Sequence, residues 1–263
     1  MITIKSSREF AKMQRAGATV SAVHQAVREA AVPGATLLEL DEIAARVTAS
    51  MGCTPSFLGY QGYPNTLCLS PNDVIVHGIP NGYRLVEGDI LSVDAGAIFE
   101  GFHADAAFTM GIGPITDQAQ RLIEVTEQAM WAGIREVRKG ARLGTIGAAV
   151  HEVGEVNGYG VVEEYVGHGI GRQMHEEPQV PNYGTPGTGM KLRTGMALCI
   201  EPMFNLGSRH TKVDPDKWTV RTEDGSISAH WEHTVAITPD GSLVFTAGSE
   251  PISAEFEESS ALG

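Results

Sequence analysis

The chain has 263 residues, enough for one large domain or two closely packed halves, and its 42% hydrophobic and 19% charged residues exclude a disordered or fibrous polymer. A formal charge of −13 repels phosphate backbones and argues against nucleic acid as a substrate. The three cysteines, Cys53, Cys68 and Cys199, lack a CxxC spacing and fit a reducing cytoplasm, and no signal-like segment or run of about 18 apolar residues points to export or a membrane.

Ser6 to Glu9 forms a capping box ahead of Phe10, Met13, Val20, Val23, His24 and Val27, which predicts a long helix stopped by Pro33-Gly34. Thr36 to Glu39 repeats the box before Leu40, Ile43, Ala44, Val47 and Met51, predicting a second helix closed by Gly52. After a Gly/Tyr/Pro-rich loop, the runs beginning at Asp89 and Gly101 predict a hairpin that turns at Glu100-Gly101. Two more helices are expected, one opened by Thr116-Asp117 and running to Lys139-Gly140, the other opened by Thr145 and ending near Gly158. Strands are expected at 161–166, 196–206, 226–238 and 243–246, and an acidic tail at 254–263 is expected to fray.

The helix starts recur 110 residues on from Ser6 to Thr116 and 109 on from Thr36 to Thr145, so halves at about 6–112 and 116–250 read as a duplicated unit within one domain. Helices followed by hairpins give an α+β class, an antiparallel sheet with helices packed on one face.

A tight turn at Glu100-Gly101 sets Gly96 opposite Asp105 and Asp94 opposite Ala107. Asp94 and Asp105 then share a face as diagonal neighbours, roughly 7 to 8 Å apart at the backbone, where they can converge on a cation. Taken singly, either is better explained as a capped or salt-bridged aspartate. His168 and His175 lie in a glycine-rich run whose backbone can approach a ligand closely. Glu201 and Glu232 each interrupt an apolar strand without a local countercharge, and Glu201 falls 107 residues after Asp94, near the repeat offset. Four carboxylates and one imidazole balance two divalent cations; oxygen-rich ligation suits Mn, Fe(II) or Co at least as well as Zn. Such a pair activates water for hydrolysis. Cys53 and Cys199 read as packing residues.

The segments DAGAIFEGFHADAAFTM, GHGIGRQMHEEP, CIEPM and WEHT resemble the type I methionine aminopeptidases, and the likeness runs from about residue 3 to residue 250. It implies the duplicated pita-bread fold and two divalent ions (Co, Mn, Fe(II) or Zn) on Asp94, Asp105, His168, Glu201 and Glu232, with Asp105 and Glu232 bridging; a monomer is the default, because the chain can bury its own core. It also implies removal of the first methionine of nascent polypeptides whose second residue is small. Glu201 would shuttle the proton of a metal-bridging water, His77 would contact the scissile amide, and His175 would hydrogen-bond the carbonyl oxygen; from the residues alone His77 reads as a turn histidine before Gly78. Oxygens of Asn72, Val74 and Ser228 match a site for Na or K. Tyr60, Tyr63, Cys68 and Trp218 match the methionine pocket; Phe57 stands where a small residue or cysteine is common in that family, and Met174 where an aromatic is common. Any ribosome contact would be transient and made by the catalytic domain. An Xaa-Pro aminopeptidase or prolidase on the same fold is the alternative enzyme, and a non-catalytic peptide-binding module the alternative outside catalysis.

Overall fold

The computed structural model describes residues 2–248; Met1 and the acidic tail 254–263 lie outside them. The first two helices form where their caps predict. Helix α1 spans Ser7–Ala30 and α2 spans Leu37–Ser50, each opened by a complete capping box, Ser6 with Glu9 and Thr36 with Glu39. Helix α3 spans Asp117–Arg135, capped by the Thr116 hydroxyl, and is four residues shorter than the expected end at Lys139. Helix α4 spans Leu143–Val156 and starts two residues before Thr145. The hydroxyl of Thr145 does not cap it, because it accepts a hydrogen bond from the Gly187 N–H at 3.0 Å.

A nine-stranded antiparallel sheet carries the helices. Its path runs from Thr54–Pro55 through Ile90–Phe99, Phe102–Gly111, Glu232–Thr238, Ala197–Ile200 and Gly167–Gly169 to Glu176–Val180, with Leu67–Pro71 and Gly241–Val244 paired at its sides. The hairpin has the expected register, Gly96 opposite Asp105 and Asp94 opposite Ala107. Its turn needs two left-handed residues, and Glu100 (φ 46°) and Gly101 (φ 78°) supply them.

Alternation assigns the two faces. Leu91, Val93, Ala95 and Ala97 pack with Ala106, Phe108 and the buried sides of α1 and α2, so Asp94 and Asp105 point the other way. In the second half Leu198, Ile200, Val235 and Ile237 pack with Met130 and Ile134 of α3 and Ile146 of α4, and the same alternation turns Glu201 and Glu232 from that core.

Two expected strands are interrupted. The run 196–206 splits into Ala197–Ile200, in the large sheet, and Met203–Asn205, which pairs with Ser228–His230 and Gly160–Val161 in a separate three-stranded sheet. The break is at Glu201-Pro202, where proline has no N–H for a ladder. The run 226–238 breaks opposite it at Trp231, whose N–H reaches Pro202 O at 3.3 Å. Of the strand expected at 161–166 only Val161 is in a ladder; the chain re-enters the large sheet at Gly167–Gly169. The remaining three-stranded sheet joins Thr211–Val213, Val220–Thr222 and Val74–Val76.

Candidate active site

Five successive neighbours in the large sheet each deliver one expected ligand. Asp94 lies on Ile90–Phe99, Asp105 on Phe102–Gly111, Glu232 at the head of Glu232–Thr238, Glu201 one residue past Ala197–Ile200, and His168 on Gly167–Gly169. Glu232 is opposite Ala107, which is itself opposite Asp94 across the hairpin. Both glutamates sit at the points where their strands leave the large sheet, so their side chains face into the fold between two sheets. The glycines beside His168 allow neighbouring strands to approach closely. A Cβ on Gly167 would lie 2.3 Å from the Cys199 carbonyl oxygen, and one on Gly169 would lie 2.3 Å from that of Glu177.

Ligand atoms of Asp105, His168, Cys199 and Glu232 all fall within 4.8 Å of one another, as do those of Glu201, His230 and Glu232. His168 Nε2 lies 3.5 Å from Glu201 Oε1. Oδ1 of Asp94, Oδ1 of Asp105, Oε1 of Glu201 and Oε1 of Glu232 are buried without a hydrogen-bond partner. Desolvation raises all four carboxyls above the ordinary range, Asp94 to about 7, and their mutual repulsion raises Asp105, Glu201 and Glu232 further. Burial keeps His168 neutral, its pKa pushed down to about 3, with its Nδ1 held by the Gly169 carbonyl at 2.8 Å. Four orphaned carboxyl oxygens and a neutral imidazole with a fixed second nitrogen fit a cation-binding cluster.

The two expected catalytic histidines, His77 and His175, act on each other electrostatically, and His175 lies against the expected ligand His168. The ring centroids of His168 and His175 are 4.3 Å apart. His77 has φ 59°, a left-handed conformation uncommon outside glycine, and its ring meets Tyr165 and Trp218 edge-on. Its pKa is pushed down to about 4 by burial and by His175. His175 is exposed, its Nδ1 2.7 Å from the Tyr60 hydroxyl. A cavity of about 660 Å³ opens beside His168 and His175, edged by Gln173, Glu176, Glu177 and Gln179.

All six expected pocket residues come together: Phe57, Tyr63, Cys68 and Met174 form one buried cluster, and Tyr60 and Trp218 pack against it. Tyr63 is anchored by donating to the carbonyls of Leu67 and Gly78 at 2.9 Å each. Burial raises the Cys68 thiol well above its usual range. Asn72 and Ser228 are also neighbours, the Ser228 N–H donating to the Asn72 carbonyl at 2.9 Å, with Val74 two residues on.

Three features were not anticipated. Cys199 is not merely packing: its sulfur belongs to the Asp105–His168–Glu232 group, and burial beside carboxylates raises its pKa well above the usual range, which keeps it a thiol. Ile79 joins the pocket. His230 faces Glu201, and its signal lies in the sequence, since His230 and Glu232 are two apart within the run 226–238 read as one strand.

The pattern of metallopeptidase family M24 matches residues 11–239. The chain is 46% identical over 246 residues to a methionine aminopeptidase of Clostridium perfringens, covering 94% of this chain and 99% of that one. Among solved structures, a methionine aminopeptidase from Thermotoga maritima superposes with a TM-score of 0.92 at 42% identity, covering 94% of this chain and 99% of its own. A prolidase from Pyrococcus furiosus shares the fold, with a TM-score of 0.76 at 20% identity, 94% of this chain covering 66% of that one.

The chain is therefore a member of metallopeptidase family M24. Within that family it belongs to the methionine aminopeptidases of the type I bacterial kind.

Proposed function

We propose that the chain hydrolyses the first peptide bond of nascent polypeptides that begin with methionine followed by a small residue. The observation that carries the reading is the convergence of five ligand side chains, with orphaned carboxyl oxygens, beside an apolar aromatic pocket. Asp94, Asp105, His168, Glu201 and Glu232 would hold two divalent cations, drawn from Co, Mn, Fe(II) and Zn, with Asp105 and Glu232 shared between them. Such ions lower the pKa of a water and polarise a carbonyl.

The residues around them have separable tasks. Glu201, raised in pKa by burial and by its acidic neighbours, takes a proton from the attacking water and delivers it to the leaving amine. His175 donates from Nε2 to the carbonyl oxygen as charge develops, and a Tyr60 hydroxyl donating to Nδ1 selects that tautomer. His77, neutral by burial, accepts from the scissile amide region. Phe57, Tyr60, Tyr63, Cys68, Met174 and Trp218 enclose the methionine side chain and exclude water from it; a polarizable thioether suits such aromatic walls. Carbonyl and hydroxyl oxygens of Asn72, Val74 and Ser228 would take one Na or K ion. The two halves, 6–112 and 116–250, act as one catalytic domain, because ligands come from both. We place the enzyme in the cytoplasm as a monomer with transient ribosome contact; among the described residues no helix is long and apolar enough to cross a membrane.

The deciding assay is cleavage of Met-Ala-Ser and Ala-Pro-Ser by chelator-stripped protein, before and after separate anaerobic addition of Mn, Fe(II), Co and Zn. Metal-restored release of methionine alone is expected. Turnover of the proline peptide would move the chain to an Xaa-Pro aminopeptidase, and no turnover by folded protein with any metal would make it a binding module.

A further inference from the structure

The duplication lets one half of the molecule serve as a control for the other. In the first half the turn after α1 is tied to the segment before Ile90–Phe99. Gly34 N–H donates to Leu85 O at 2.7 Å, Leu85 N–H to Ala35 O at 2.9 Å and Leu37 N–H to Tyr83 O at 3.2 Å, and Thr36 is bridged to Arg84. The second half repeats this bond for bond after α3. Gly140 N–H donates to Leu192 O at 2.9 Å, Leu192 N–H to Ala141 O at 2.8 Å and Leu143 N–H to Met190 O at 2.9 Å, and Arg142 is bridged to Lys191. Gly34 and Gly140 both take positive φ, 94° and 86°, and Leu85 and Leu192 are both buried.

The backbone is repeated, but the surface is not. Val32, Pro33 and Thr36 of the first turn have Arg138, Lys139 and Arg142 as their counterparts, and Val86 has Arg193. Arg135, Arg138, Lys139, Arg142, Lys191 and Arg193 are all exposed and make up six of the nineteen Lys and Arg residues of the chain. The acid within 135–142 and 189–193 is Glu136, paired with Arg138 at 2.9 Å. Because the first half closes the same turn with valine, proline and threonine, the fold does not require these cations. We propose that 135–142 and 189–193 form a surface that docks on the phosphate backbone of structured RNA.

The two segments run side by side at about the 4.8 Å strand spacing, so their side chains form a two-dimensional array of cations that matches a folded polyphosphate. The formal charge of −13 repels phosphate elsewhere, which confines contact to this face and fixes its orientation. Among the described residues, the large exposed apolar side chains lie outside both segments, which leaves nothing here to insert into a lipid surface. The choice of RNA over another polyanion rests on the nascent-chain reading, since new chains appear beside structured RNA.

The test is fluorescence anisotropy of a labelled RNA duplex of about 20 base pairs with the full chain, over KCl from about 50 to 200 mM. Lys139, Lys191 and Arg193 have no ion-pair partner among the described residues, so the triple variant Lys139→Gln, Lys191→Gln, Arg193→Gln changes charge without breaking a contact. It should bind at least about tenfold more weakly, with the slope of log affinity against log salt shallower by about three, one per phosphate contact removed. The matched variant Arg8→Gln, Arg15→Gln, Arg46→Gln carries the same net charge and should lose less than about threefold. Equal losses in the two variants would overturn the proposal, as would no binding by the wild type at about 50 mM KCl, or binding to phosphatidylcholine–phosphatidylserine vesicles in place of RNA. Cleavage of Met-Ala-Ser should be unchanged in the triple variant. RNA binding by wild-type protein that releases no methionine would support this surface and overturn the aminopeptidase reading alone.

Discussion

Glu176 and the four carboxylates of the cluster are buried in the same wall of the molecule and have opposite electrostatics. Glu176 accepts from the Lys5 ammonium at 2.8 Å, from the N–H groups of Arg172 and Gln173 at 2.9 and 3.2 Å, and from the Thr3 hydroxyl; hydrogen bonds outweigh its desolvation and lower its pKa. Asp94, Asp105, Glu201 and Glu232 each keep an orphaned oxygen and are raised. Both arrangements bury acid, but only the first neutralises it with the chain's own atoms. A carboxylate with a full set of donors is structural, whereas a group of carboxylates without them requires a partner from outside the chain. The contrast is useful because Glu176 immediately follows His175, so a structural carboxylate orders the loop that carries a proposed catalytic group.

Substitution can break the comparison at either end. Glu201→Gln is expected to lower kcat by about 10²- to 10⁴-fold in metal-restored cleavage of Met-Ala-Ser, while the metal-free protein melts no lower than the wild type because a buried acid has been removed. A variant with full activity would remove Glu201 from the mechanism. Glu176→Gln should behave in the reverse sense. Lys5 and Glu176 have side chains each 4% exposed, so breaking the pair leaves an uncompensated buried ammonium and should cost about 3 to 5 kcal/mol in urea unfolding. Loss of activity with unchanged stability would place Glu176 in the chemistry instead.

A pH series sharpens the same contrast. Above about pH 7.5 the buried histidines are neutral in both the folded and unfolded states and contribute little slope. The cluster carboxyls, with folded pKa values raised above their unfolded ones, bind more protons in the folded state; stability therefore falls as pH rises through the raised values, which begin at about 7 with Asp94. The melting temperature of metal-free protein should decline from about pH 7.5 to about pH 9, and saturating Co or Mn should abolish the decline and release protons on binding. Equal slopes with and without metal would mean that these acids do not bind it. The smallest effect is expected for Tyr60→Phe, which removes one hydrogen bond at an exposed imidazole. It should lower kcat by roughly two- to tenfold, the worth of about 0.5 to 1.5 kcal/mol, with KM nearly unchanged.

Local chemistry made much of this fold legible. Capping boxes place the starts of α1 and α2, and the pairing of Asp94 with Ala107 follows from alternation plus a turn of two left-handed residues. The same logic failed where a hydroxyl had a distant competitor: Thr145 looks like a cap, but Gly187, 42 residues away in sequence, claims its oxygen. The glycines around His168 have a further role beyond local range, since their lack of a Cβ is needed against the carbonyls of Cys199 and Glu177 in neighbouring strands. The pocket residues were named only through resemblance, because Tyr, Trp and Phe at those spacings carry no periodic signal that separates a wall from a core.

Short-range rules settled the helices, the hairpin register and the isolation of acids in apolar strands, since caps, turns and alternation act over a few residues. What could not be read at that range is which side chains meet across strands. Glu201 and Glu232 point into one cluster because Pro202 and Trp231 divert both strands between two sheets at the same level. Cys199 joins that cluster by pairing with Thr234, 35 residues on, and His230 by its hydrogen bond to Thr109, 121 residues away, and both depend on packing of the whole sheet.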